Sequence, residues 1–155
     1  MSACAVEGGR ATGLRREVGG ERPKVLVLYE SCPSGRRALA AGLELTDADG
    51  RLTVVTLAPQ ADAGCCSRGG TGEYNCAVRE EAVLELREAR GLAGAGAHRS
   101  SFRSLIEYRD PPLARWAAQR SFDVVLLARH RLTRGGHSSA RKLRRATAGE
   151  VRVIA

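Results

Sequence analysis

The segment best supplied for chemistry runs from Arg129 through His130, Arg131, Thr133, Arg134, Gly135, Gly136 and His137 to Ser138 and Ser139. It follows an apolar run, Phe122–Ala128, and precedes a helical pattern over 139–147. Strand, glycine-containing turn, hydroxyl residues and helix start together make an anion site. Free backbone N–H groups and the positive end of the helix dipole point at one place. Residues 129–155 hold eight Arg and Lys against one acid, Glu150, so nearly all of the net charge of +8 lies there. A phosphate is the ligand such a segment would take. A solvated basic face on the last helix gives the same pattern without a ligand.

Glu30, at the end of the apolar run Lys24–Glu30, is a second candidate, because its carboxylate can accept hydrogen bonds from a sugar or a base. Ser31 adjoins it. The thiols form a third group. Cys32 follows the first strand, Cys65 and Cys66 lie after the second, and Cys76 opens a helix, where the dipole favours a thiolate. In a parallel sheet these positions share the carboxyl end, so a redox switch or soft-metal site is one reading and unconnected loop thiols the other. No CxxC spacing favours a metal. His98, His130 and His137 show no spacing that makes a catalytic triad, and loop histidines are ordinarily solvated.

The elements that must position these residues alternate. Strands are expected at Lys24–Glu30, Arg51–Ala58, His98–Glu107, Phe122–Ala128 and Val151–Ala155. The first, second and fourth are continuous apolar runs, as in strands covered on both faces of a parallel sheet. Helices are expected over 35–45 with Ser34 as N-cap, over 75–93, from Asp110-Pro111-Pro112 onward, and over 139–147. In the second helix Val78, Ala82, Leu86, Ala89 and Ala93 face inward, while Glu81, Glu85, Arg87 and Arg90 decorate the outer side. The order β-α-β-α-β-α-β-α-β implies a three-layer α/β/α domain with a doubly wound, five-stranded parallel sheet. Ligands bind such sheets at the carboxyl ends of strands where the winding reverses. The strands ending at Glu30 and Ala128 are the candidates for that point.

Composition sets the outer bounds. A chain of 155 residues with 43% hydrophobic and 27% charged residues is expected to form one globular domain. Residues 1–22 are Gly-, Arg- and Glu-rich without a period and are expected to be a disordered tail before a domain over 23–155. No apolar run approaches the ~20 residues of a membrane span. No signal-peptide pattern opens the chain, so a cytoplasmic location is expected. Aromatics are only 4%, which removes the stacking platform of single-strand nucleic-acid binders, and no recognition-helix motif is present.

The stretches VLVLYESCPSGRRAL, LTVVTLAP and DPPLARWAAQRSFDVVLLARH resemble, in order and spacing, the strands and helices of universal stress protein domains. The resemblance covers 23–155. It implies the adenine nucleotide alpha hydrolase-like fold with sheet order 3-2-1-4-5, and often a homodimer through the last strand. Two departures stand out. Glu30 occupies the position where nucleotide-binding members carry Asp. Their G-x2-G-x9-G-(S/T) pattern is also incomplete. Gly136 with Ala146-Thr147 fits the closing spacing only with alanine for glycine, and puts Thr133 at the first glycine position. Setting Gly136-His137-Ser138 at the closing G-(S/T) keeps 139–147 helical and shortens the loop. Such a loop has fewer N–H groups to wrap a triphosphate, whereas a mono- or diphosphate could still be held by Gly135, Gly136, Ser138, Ser139 and the nearby arginines.

The expected function is a small universal stress protein-like binding or regulatory module, not an enzyme. The candidate ligand is an adenine nucleotide (ATP, ADP or AMP) or another phosphate-bearing molecule. Glu30 and Ser31 would meet the base or sugar. Gly135, Gly136, Ser138 and Ser139 would cradle phosphate, with Arg129, Arg131 and Arg134 supplying charge. One alternative is a ligand-free member whose basic C-terminal face docks a protein or nucleic acid. The other is a sensor built on Cys32, Cys65, Cys66 and Cys76.

Overall fold

The computed structural model describes residues 22–47, 50–61, 70–129 and 136–155, with the backbone alone for 136–139. The expected tail (1–21), Cys65, Cys66, His130, Arg131, Arg134 and Gly135 lie outside the described residues.

Five strands form one parallel sheet: β1 Lys24–Leu28, β2 Arg51–Ala58, β3 Ser100–Ile106, β4 Val124–Ala128 and β5 Glu150–Ile154. Their order is β3-β2-β1-β4-β5, as expected. The central register sets Val25 beside Val124 and Leu52, and Leu28 beside Leu127 and Val55. Helices α1 Pro33–Leu45, α2 Thr71–Ala93, α3 Leu113–Ala118 and α4 Gly136–Ala146 connect them, with a 3-10 turn at Gly94–Arg99 after α2.

Alternate β1 residues serve different layers, which is why the run is apolar throughout. Val25, Val27 and Tyr29 pack with Ala38 and Leu39 of α1 and Ala89 of α2. Leu26 and Leu28 pack with Trp116 and Ala117 of α3 and with Ala140 and Leu143 of α4. All of β1 after Lys24 is buried. Helices α1 and α4 therefore leave the neighbouring strands β1 and β4 toward opposite faces, so the winding reverses between these two strands.

Several element ends differ from the sequence expectation. Cys32, not Ser34, caps α1, and Pro33 takes the first helical position that proline suits. Helix α2 starts four residues early, at Thr71. Helix α3 starts at Leu113, with Pro112 at its cap position. The Asp110 carboxylate instead closes the turn after β3, accepting from the Ile106 N–H at 2.9 Å and from Arg103 at 3.1 Å.

Candidate functional site

The carboxyl ends of β1 and β4 are tied together by a chain of small polar contacts. Strand β1 stops at Leu28, not at Glu30 as expected, and Glu30 opens a tight turn in which the Cys32 N–H donates to the Glu30 carbonyl at 2.8 Å. The Cys32 thiol sulfur accepts from the Gly35 N–H at 3.3 Å, doing the work of a hydroxyl or carboxylate N-cap. The Ser34 hydroxyl donates to the Arg129 carbonyl at 3.2 Å. Its single proton is thereby used, so in the 3.3 Å Cys32–Ser34 contact the S–H is the donor. Ser34 thus fastens the start of α1 to the end of β4, across the point where the winding reverses. The Arg129 N–H donates to the Ile154 carbonyl at 2.7 Å, which ties β5 in as well.

Helix α2 brings two carboxylates onto the β1–α1 turn. Glu85 accepts from the Ser31 N–H at 3.0 Å, and Glu88 accepts from the Ser31 hydroxyl at 2.5 Å. Arg36 in the first turns of α1 pairs with Glu88 at 2.8 Å. The two acids, three residues apart, are pushed in opposite directions. Burial raises the Glu85 carboxyl above its ordinary value. The charges of Glu81, Glu30 and Glu88 add to this, and the Ser31 N–H partly offsets it. The bond from the Ser31 hydroxyl holds the Glu88 carboxyl below its ordinary value, helped by the Arg36 guanidinium.

Under this cluster lies Tyr29, fully buried. Its hydroxyl sits beside Glu88 and Arg36, yet in hydrogen-bond geometry with no described residue. Burial first, then Glu88, pushes the phenol up to about 12 from 10.0. A raised folded-state value means that the stability tied to the protonated phenol is complete below pH 10 and is lost as pH rises through about 12. Tyr29→Phe is therefore expected to leave stability at pH 7 unchanged or raised by about 1 kcal/mol, since a buried group without a partner is removed. It is also expected to abolish the part of the alkaline loss that falls between pH 10 and 12. Urea midpoints of both proteins across that range check this. A variant as alkali-sensitive as the parent would contradict the assignment.

The sequence-derived residues are distributed around this end. Glu30 is half-buried, and Ser31 is exposed with both donors engaged by α2. Arg129 is exposed at the end of β4. Gly136, Ser138 and Ser139 form the first turn of α4. Arg131, Arg134 and Gly135 lie outside the described residues. Cys32 and Cys76 are free thiols, the second exposed on α2. Among the described residues no three His, Cys, Asp or Glu side chains are grouped to hold a metal. Glu85 and Glu88 are the residues that sequence reasoning missed. Glu85 belongs to the turn, not to a solvated outer face. The available signal was the spacing of Glu81, Glu85 and Glu88, four and three apart on one helix face. A cavity of about 220 Å³, lined in part by Leu43, Thr46, Ala93 and Arg99, lies at the opposite, amino end of the sheet, away from these groups.

Sheet order, winding and the reversal between β1 and β4 define a doubly wound α/β domain. Its fold is that of the universal stress proteins. A structure from the universal stress protein family of Burkholderia pseudomallei superposes with a TM-score of 0.64 at 24% identity, over 84% of this chain and 94% of that one. A universal stress protein in complex with cAMP gives 0.58 at 18% identity, over 86% and 97%. One from Archaeoglobus fulgidus in complex with dAMP gives 0.57 at 18%, over 87% and 98%. No family model matches the chain, and no curated protein matches it. No helix among the described residues is long and apolar enough to cross a membrane.

Proposed function

We propose that this chain is a universal stress protein-like binding and regulatory module, not an enzyme. It holds an adenine nucleotide or another phosphate-bearing ligand at the carboxyl end of its sheet. The observation that carries this reading is the junction of β1 and β4 at the reversal of winding, clasped by Ser34 on the Arg129 carbonyl. One side of the junction is acidic, with Glu30, Glu85 and Glu88. The other leads through Arg129 into the basic, glycine-containing segment and the start of α4. A nucleotide has the matching polarity, with hydroxyl and amine donors at one end and phosphate at the other. The complexes of similar folds with cAMP and dAMP support the same choice. Glu30 and Ser31 would then meet the base or sugar. Gly135, Gly136, Ser138 and Ser139 would cradle phosphate, with Arg129, Arg131 and Arg134 near it. The module would act in the cytoplasm as a homodimer, as the family resemblance implies.

Thermal unfolding of the reduced protein with ATP, ADP, AMP or inorganic phosphate tests this. A ligand at about 100 times its Kd stabilises the fold by about 2.7 kcal/mol, a rise of about 5–10 °C for a domain of this size. The expected result is a rise that differs among the nucleotides and survives moderate salt. A rise that phosphate alone reproduces and salt erases would replace this reading with the second one, a docking face for a macromolecule. That reading has its own support in Arg141, Lys142, Arg144 and Arg145, all exposed on α4.

A further inference from the structure

Three donors of the β1–α1 turn and the start of α1 are taken by one helix, α2. The Ser31 N–H goes to Glu85, the Ser31 hydroxyl to Glu88, and the Arg36 guanidinium to Glu88 through both Nε at 3.0 Å and a terminal nitrogen at 2.8 Å. A backbone N–H, a hydroxyl and a guanidinium at the start of a helix are the donor set that binds phosphate or carboxylate groups from outside. Beside them the fully buried Tyr29 hydroxyl has no hydrogen-bond partner among the described residues, so this pocket of donors holds one more than the two carboxylates satisfy. Both acids come from an element far along the chain, 54 and 57 residues from Ser31.

We propose that Glu85 and Glu88 are an internal anion: they occupy the donor set of the β1–α1 turn and exclude the phosphate of a ligand from it. The inference rests on the reading that this end of the sheet is a ligand site, and it deepens that reading by fixing ligand orientation. With Ser31 and Arg36 neutralised from within, a nucleotide can place only its uncharged base or sugar against β1. Its phosphate is driven to the β4 side. Removing the two carboxylates opens a second anion position, so the chain carries its own competitor for anionic ligands.

The test measures the affinity of AMP and of inorganic phosphate, by calorimetry, for the parent chain and for Glu85→Gln/Glu88→Gln. Glutamine keeps the size of the side chain and removes the charge. The paired control is Glu73→Gln/Glu80→Gln, which removes the same charge from exposed positions of α2 away from the turn. A tenfold or greater gain for phosphate in the first variant and not in the control is expected, and adding Arg36→Ala should abolish it. Circular dichroism confirms that each variant folds. Should the first pair fail to fold, Glu88→Gln alone, which removes the charge facing both the Ser31 hydroxyl and Arg36, is held to the same gain. Equal binding by parent and variant would overturn the internal anion and leave the ligand reading standing. An equal gain in the control would overturn it as a mere effect of net charge. Absence of binding by every protein would overturn both.

Discussion

Gly35→Ala should destabilise the fold by about 2–4 kcal/mol and weaken any ligand bound between β1 and β4. A Cβ at this position would stand 1.9 Å from the Glu30 carbonyl oxygen and 3.0 Å from its carbon. The obstacle is backbone, held by its bond from the Cys32 N–H, and the strand behind it is buried between two layers. Relief requires α1 to withdraw by more than an ångström. That would stretch the Cys32 cap and the Ser34–Arg129 clasp together, since both belong to the same first turn. Alanine has the better helix propensity by about 1 kcal/mol, which offsets only part of the loss. Two comparisons isolate the cause. At Gly42 the added carbon would meet Val27 Cγ2 at 2.6 Å and Leu52 Cδ1 at 3.0 Å, side-chain atoms able to turn aside, so Gly42→Ala should lose less, about 1–2 kcal/mol. At Gly72, within α2, nothing lies within 4 Å, and Gly72→Ala should gain about 0.5–1 kcal/mol. Urea midpoints in the order Gly72→Ala, parent, Gly42→Ala, Gly35→Ala are the expected series. A Gly35→Ala protein as stable as the parent would contradict the close approach of α1 to Glu30.

The same turn shows why the sheet was legible in the sequence and the site only partly so. Strands β1, β2 and β4 are continuous apolar runs because each is covered on both faces, and that pattern depends on composition alone. Strand β3 lies at the sheet edge and has one buried residue, Leu105, so its pattern is weaker and its first residue is Ser100 instead of His98. Helix starts shifted for local reasons. Cys32 stood outside the usual hydroxyl and carboxylate caps. Asp110 had two possible jobs, and Ile106 with Arg103 claimed it before α3 did. Glu30 and Arg129 could be placed at the carboxyl end because strand ends follow from strand patterns. Glu85 and Glu88 could not. Helical periodicity sorts residues into apolar and polar sides, and both acids fall on the polar side. Which part of that side meets the β1–α1 turn depends on how α2 lies across α1, a matter of tertiary packing, so the shared helix face of Glu81, Glu85 and Glu88 groups the acids without telling what they meet.

Trp116→Ala is expected to cost about 3–5 kcal/mol, which lowers the melting temperature by about 10 °C. Helix α3 has six residues, too few to stand on their own hydrogen bonds, and Trp116 is its anchor. The ring is 3% exposed, stacks on Phe122 with centroids 5.9 Å apart, and carries the Arg120 guanidinium 4.1 Å above it. It belongs to the cluster that seats Ala140 and Leu143 of α4 on Val125 and Leu127 of β4. The void left by alanine therefore opens beneath α4. Trp116→Phe separates packing from polarity. It keeps an aromatic partner for Phe122 and removes the indole N–H, which is buried without a partner among the described residues, so its cost should stay below about 1.5 kcal/mol. Hydrogen exchange gives the site-directed readout. In Trp116→Ala, α4 amides from Ala140 to Ala146 should lose protection beyond the global loss, while α1 amides should lose only the global amount. Uniform loss in both helices would mean that the ring supports the domain as a whole. Selective loss in α4 would mean that one aromatic residue on the far face sets how firmly the phosphate side of the proposed site is held.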